Sequence, residues 1–128
     1  MKKVIHTDAA PKAVGPYSQA IQMGEFLFCS GQISINPQTQ EVFTGDIKTQ
    51  TEMVLKNIDA VLKAADLNFS HVIKTTIFLT SMADFAVVNE IYAQKFTTLA
   101  PARSTVAVAG LPKGVNVEIE VIAHFHAK

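Results

Sequence analysis

The clearest hydrophobic pattern in the chain runs from Asp46 to Asp66. Ile47, Val54, Leu55, Ile58, Val61, Leu62 and Ala65 fall on one helical face, while Lys48, Glu52, Lys56, Asp59, Lys63 and Asp66 step by three and four along the other. Glu52–Lys56 and Asp59–Lys63 are acid-first pairs four residues apart, the better orientation on a helix. Asp46 is the expected N-cap, and Asn68 the expected left-handed residue beyond the end. The spacing predicts an amphipathic helix that covers a sheet.

Shorter runs on both sides predict that sheet. Lys3–His6 reads as a short edge strand, and Asp8–Pro16, which carries Pro11, Gly15 and Pro16, as irregular loop. Ser18–Met23 and Phe26–Gly31 flank Gly24-Glu25 as a hairpin. Gln32–Thr44 is polar, with a turn signal at Asn36-Pro37. Phe69–Thr80 is β-branched and aromatic and reads as a strand. Ser81 and Asp84 resemble a capping pair that opens a second helix, with Phe85, Val88, Tyr92, Phe96 and Leu99 on its buried stripe and Pro101 ending it. Arg103–Ala109 is an expected strand and Gly110–Gly114 a turn. Val115–Phe125 is a long strand in which Val117, Ile119, Val121 and Ala123 alternate with Glu118, Glu120, Ile122 and His124.

This order predicts an α/β (α+β) fold, a mixed sheet with two helices on one face. The opposite face must then be wet or covered by another chain. Phe26 and Phe28 point away from Leu27 and Cys29, so apolar side chains occupy both faces and a homo-oligomer is expected. With 128 residues and no repeat or linker, residues 1–128 read as a single domain.

Composition removes several classes of function. Apolar residues make up 48% and charged residues 17%, below the roughly 25% of ordinary soluble domains and far from the signature of disorder. Eleven Lys+Arg balance eleven Asp+Glu, which gives no electrostatic case for nucleic acid or an anionic membrane. Cys29 is the only cysteine, so no intrachain disulfide can form, and it reads as a small core hydrophobe. The N-terminus lacks a signal-peptide apolar stretch and no run approaches a membrane span; a cytoplasmic location is expected.

The candidate chemistry is sparse. Arg103 either rests at a rim or presents its planar fork to an anion. Glu118 and Glu120 share one face of the last strand; if an oligomer covers that face, one becomes a desolvated acid/base group. Tyr17 sits where a loop meets a strand, and Ser30-Gly31 is either a turn or a place where a ligand approaches the backbone. His124 and His126 share a face without a third ligand at matching spacing, so no metal is expected. Phosphate loop, dinucleotide fingerprint and serine elbow are all missing. The inventory suits a small carboxylate ligand.

Six segments occur together along the chain: Gly15-Pro16-Tyr17-Ser18-Gln19-Ala20, Ser30-Gly31-Gln32-Ile33, Ile73-Lys74-Thr75-Thr76, Asn89-Glu90-Ile91-Tyr92, Pro101-Ala102-Arg103-Ser104 and Glu118-Ile119-Glu120-Val121-Ile122-Ala123. In order and spacing they resemble the reactive intermediate deaminase (Rid, or YjgF) family, and its RidA subgroup in particular. The resemblance implies a chorismate-mutase-like fold, a homotrimer with a central β-barrel, and a site at each subunit interface. It implies hydrolysis of 2-imino acids such as 2-iminopropanoate and 2-iminobutanoate to 2-oxo acids and ammonia, with no cofactor and no metal. Those imines derive from the 2-aminoacrylate and 2-aminocrotonate that PLP-dependent dehydratases release.

By the same resemblance, Arg103 holds the substrate carboxylate and Glu118 handles water. Tyr17, Ser30, Gly31, Asn89 and Thr105 line the pocket. Many RidA members carry cysteine where this chain has Thr105, so a backbone contact survives there and a thiol role does not. Two alternatives use the same inventory: a non-enzymatic 2-oxo-acid sensor or regulator, and an endoribonuclease-type translation inhibitor, which the balanced charge disfavours.

Overall fold

The Asp46–Asp66 pattern folds as helix α1 (Ile47–Ala64), with the Asp46 carboxylate accepting from the Thr49 amide at 2.8 Å as the N-cap. Its C-terminus differs from expectation. Asp66, not Asn68, is left-handed (φ 60°), and Leu67 N–H reaches back to Leu62 C=O while Asp66 N–H reaches Lys63 C=O. This double bond pattern closes the helix, and the short polar Asp side chain tolerates the left-handed position. Asn68 is extended instead and caps a short 3-10 turn, Phe69–His71, so the following strand starts three residues later than the apolar run suggested. Of the two acid-first pairs, Asp59–Lys63 closes, at 2.7 Å.

The computed structural model describes residues Met1–Lys128. Six strands form one mixed sheet: β1 (Lys3–Ile5), β2 (Ala20–Met23), β3 (Phe26–Gln32), β4 (Val72–Leu79), β5 (Ala102–Ala107) and β6 (Val117–His124). Their spatial order is β1-β2-β3-β6-β4-β5. Only β4 and β5 run parallel, and that pairing needs a crossover, which helix α2 (Phe85–Ala93) supplies.

The second helix is shorter than its stripe predicted. After Ala93 the N–H groups of Gln94, Lys95 and Phe96 bond three residues back rather than four, so the last turn tightens and the helix stops. Phe96 still packs edgewise on Phe69 and against Tyr92, but Leu99 is left-handed and 85% exposed, outside the core. Ser81 caps a 3-10 turn, Met82–Asp84, and Asp84 makes no side-chain cap bond, so the two are not a reciprocal pair.

Both helices cover the face that carries Leu27, Cys29, Ile77, Leu79, Val117, Ile119, Val121 and Ala123, against Val54, Leu55, Ile58, Val61 and Leu62 of α1. Each large buried side chain contributes about 1.5–3 kcal/mol relative to exposure. Cys29 lies among them, and burial pushes its thiol up to about 12, which leaves it an unreactive hydrophobe. On the helix-free face, strand register lines up Val4, Ile21, Phe28 and Ile122 in one row. Phe26 and Phe28 there are 41% and 47% exposed, an apolar patch of the kind that marks an interface. No helix is long and apolar enough to cross a membrane.

Candidate functional site

On β6, alternation sends Val117, Ile119 and Val121 into the core and Glu118 and Glu120 to the helix-free face. Glu118 pairs with Phe78 of β4 and lies next to an irregularity in β3, where Cys29 faces Val121 but Gln32 faces Ile119. Ser30 and Gly31 therefore oppose a single β6 residue. This bulge shifts the parity of β3, so that Cys29 and Gln32, rather than Cys29 and Gly31, point inward. Gly31 is thereby turned toward the face that carries Glu118.

A cleft of about 400 Å³ opens at this point, and Tyr17, Ser30, Gly31 and Glu118 line it together with Lys12 and Lys113. No hydrogen bond within the chain acts on the Glu118 carboxyl. Burial, and secondarily the Glu120 charge, raise the Glu118 pKa above its ordinary value. The result is a partly desolvated, unpartnered carboxyl at the floor of a cleft. Tyr17 stands at the rim, 53% exposed, rather than in the core.

One wall of the cleft is irregular loop, and Gln19 holds it in place. This side chain, 2% exposed, accepts from Thr7 N–H at 2.7 Å and donates to the carbonyls of Thr7 (3.0 Å), Pro11 (2.8 Å) and Ala10 (3.5 Å). The main-chain carbonyl of Gln19 accepts from Ser30 N–H at 2.9 Å, and the Ser30 hydroxyl donates to Ser18 C=O at 2.6 Å. Gly15, at φ 126°, makes the turn that delivers Pro16 and Tyr17 to the rim.

Arg103 is elsewhere. It pairs with the buried Thr75 across the β4–β5 ladder and so lies on the helix side of the sheet, opposite to Glu118. Arg103 Nη1 donates to Asn89 Oδ1 at 2.6 Å, and the guanidinium carbon lies 5.1 Å from the Tyr92 ring centroid and 5.5 Å from that of Phe85. Tyr92 is fixed by a 2.7 Å hydrogen bond with the Thr75 hydroxyl, and burial raises its pKa, so it stays a neutral platform. The fork thus has a set orientation with donors to spare. Thr105 lies two residues along the same edge strand; its buried hydroxyl has no partner in the chain.

The expected site residues therefore form two groups. Tyr17, Ser30, Gly31 and Glu118 come together in the cleft, and Arg103, Asn89 and Thr105 gather at the β5 edge on the other face. One chain does not bring the groups together. Gln19, Phe85 and Tyr92 were not expected to serve the site. For the last two a signal was present: Phe85, Asn89 and Tyr92 follow the i, i+4, i+7 spacing of one helical face. No three His, Cys, Asp or Glu side chains gather as a metal cluster, and His126 faces Glu25 at 2.7 Å.

Residues 7–125 match the family model described as Endoribonuclease L-PSP. The 2-iminobutanoate/2-iminopropanoate deaminase of Mus musculus is 45% identical over 123 residues, which span 96% of this chain and 91% of that one. A Yersinia pestis protein, YyfA, described as of unknown function in the conserved Rid protein family, superposes with a TM-score of 0.95 at 54% identity, covering 97% of this chain and 99% of its own. Escherichia coli TdcF with bound serine superposes with a TM-score of 0.91 at 45% identity, covering 95% and 98%. Other relatives carry only a RutC family name or are described as a regulator.

Proposed function

The chain belongs to the endoribonuclease L-PSP family, which is the YjgF/Rid family, and from that premise we propose that it hydrolyses reactive 2-imino acids to 2-oxo acids and ammonia. The active unit is a homotrimer in which the Arg103 edge of one copy meets the Glu118 cleft of the next. The observation that carries this reading is the division of the polar groups: an oriented fork on one face of the sheet and a half-buried, unpartnered carboxyl on the other. Each is half of a site for a small molecule with a carboxylate at one end and a hydrolysable carbon beside it. The exposed phenylalanines of the helix-free face are the surface that copies would cover.

The chemistry asks little of the protein. Arg103 holds the substrate carboxylate by two parallel charge-assisted bonds, which fixes the C=N carbon a short distance away. Tyr17, Ser30, Gly31, Asn89 and Thr105 bound the space around it. Glu118 takes a proton from water as the water oxygen bonds to that carbon, and hands it to the nitrogen, which has received the C=N electron pair, leaving a neutral carbinolamine. The same carboxylate then takes the carbinolamine hydroxyl proton as the C=O forms and gives it to the nitrogen as the C–N bond breaks and ammonia leaves. Proton count and charge balance without cofactor or metal. The name of the mouse relative and the serine bound to the Escherichia coli relative both fit a small amino-acid-derived ligand.

The test uses the division itself. Arg103→Ala and Glu118→Gln each remove one half, so each protein alone is expected to be inactive against imines generated in situ by an amino-acid oxidase. In trimers co-assembled from equal amounts of both, each interface has about one chance in four of joining an intact Arg103 to an intact Glu118, so about a quarter of the parent activity returns. Mixed trimers, verified by native mass spectrometry, that remain inactive would place both groups outside a shared site. A parent protein that binds 2-oxo acids but does not accelerate imine loss is a sensor instead.

A further inference from the structure

Gly31 does not have the left-handed backbone that usually reserves a position for glycine; that conformation belongs to Gly15, Gly24 and Gly114. Its path along β3 is open to any residue. Space is what sets it apart. A Cβ built on Gly31 would lie 2.9 Å from Glu118 Cδ and 3.1 Å from Glu118 Cγ, and nearer still to Oε2. All three nearest atoms belong to that one side chain, and none of them is backbone. The bulge at Ser30-Gly31 creates this approach by turning Gly31 toward Glu118.

The geometry points to Gly31 as a positioning residue: the hollow left by its missing side chain is the seat that holds the Glu118 carboxyl against the β3 backbone. No hydrogen bond within the chain acts on that carboxyl, and the contact it makes against Gly31 is the close fit that marks its place. The inference rests on the reading of Glu118 as the water-handling group, and extends it by naming what aims that group.

A methyl group at residue 31 needs about 3.5–4 Å from its neighbours, so the carboxyl must swing outward by roughly 1 Å. Backbone shifts are not required, because the displaced atoms are the free end of a flexible side chain. The carboxyl moves toward solvent and loses part of the burial that raises its pKa, the larger of the two causes. The substitution changes no other ionisable group that faces Glu118: Lys12 and Tyr17 on the loop and Lys113 on the turn before β6 line the cleft, and Glu120 on β6 acts on Glu118 through its charge. Misplacement by about 1 Å is worth roughly a hundredfold in turnover. Arg103, which holds the carboxylate, lies on the other face and is untouched, so the change in kcat should exceed any change in KM.

Four proteins test the seat: Gly31→Ala, Glu118→Asp, Gly31→Ala with Glu118→Asp, and Gly31→Ala with Glu118→Ala. The readouts are thermal unfolding, carboxyl-carbon NMR titration of residue 118, and the pH–rate profile of imine hydrolysis. Gly31→Ala is expected to fold, to titrate at residue 118 below the parent, and to lose kcat roughly a hundredfold while the acidic limb of its profile moves to lower pH. Adding Glu118→Asp draws the carboxyl back by one methylene, so the double variant should lose less than the product of the two single losses. An unchanged titration of Glu118 in folded Gly31→Ala overturns the proposal. Should Gly31→Ala fail to fold, Glu118→Ala must rescue it, since that side chain supplies the three closest contacts; no rescue also overturns the proposal. A shifted titration with unchanged turnover upholds the seat and removes Glu118 from the chemistry instead.

Discussion

An Arg103→Lys protein is expected to fold and assemble like the parent and to lose about three to four orders of magnitude in kcat/KM for 2-imino acids. Lysine keeps the charge but replaces a planar fork with a mobile point donor. The loss of one charge-assisted bond to the carboxylate costs on the order of 1.5–3 kcal/mol, or about ten- to a hundredfold in binding. The larger effect is geometric. The parent guanidinium is held by Asn89 Oδ1 and by the Tyr92 and Phe85 rings, and none of these constrains an ammonium to one plane. The C=N carbon would wander by about 1 Å relative to Glu118, for roughly a further hundredfold. Parent-like kinetics in a folded Arg103→Lys protein would remove Arg103 from the site.

Glu118→Gln is expected to leave 2-oxo acid binding nearly intact and slow turnover by about a hundredfold or more, the usual contribution of an acid/base group. It should also change stability, with a definite sign. The Glu118 pKa is raised in the folded chain by burial and by Glu120. A carboxyl of that kind favours the folded state below its unfolded value, and the advantage disappears as pH rises through the raised one. At neutral pH the charged form is a burden that glutamine lacks, so the variant should melt higher than the parent there. The difference should vanish in acid, where both side chains are neutral. Parent activity should fall with decreasing pH through the same raised value. A variant that melts lower at neutral pH, or keeps parent turnover, would assign Glu118 to structure.

Much of this arrangement was legible along the chain. The α1 pattern fixed its own extent and buried face, because seven apolar positions at helical spacing leave no competing period. The alternation of β6 placed Glu118 and Glu120 on one face for the same reason. Ends were less legible. Asp66 took the left-handed position because the helix closed there through Leu67, a choice set by hydrogen bonds two residues beyond the pattern. Leu99 looked like the next apolar step of α2, but the three-residue bonds after Ala93 had already ended the helix. The bulge at Ser30-Gly31 is a property of two strands and has no mark in one. Nor does the parity of Arg103 within its strand reveal its side of the sheet. That follows from its pairing with Thr75, and the separation from Glu118 emerges only when β4 aligns both.

The Gln19 side chain gives a stretch without a ladder the hydrogen bonds that a neighbouring strand would otherwise provide. Thr7 N–H, Thr7 C=O and Pro11 C=O all end on one buried amide, and the main chain of that residue is joined to Ser30. Freeing Thr7 therefore requires Gln19 to leave its place beside β2 and β3. In deuterated water the Thr7 amide should exchange at the pace of that strand pair rather than with the exposed amides around it. An irregular segment here belongs to the same cooperative unit as the sheet, and the wall of the cleft opens only when that unit does.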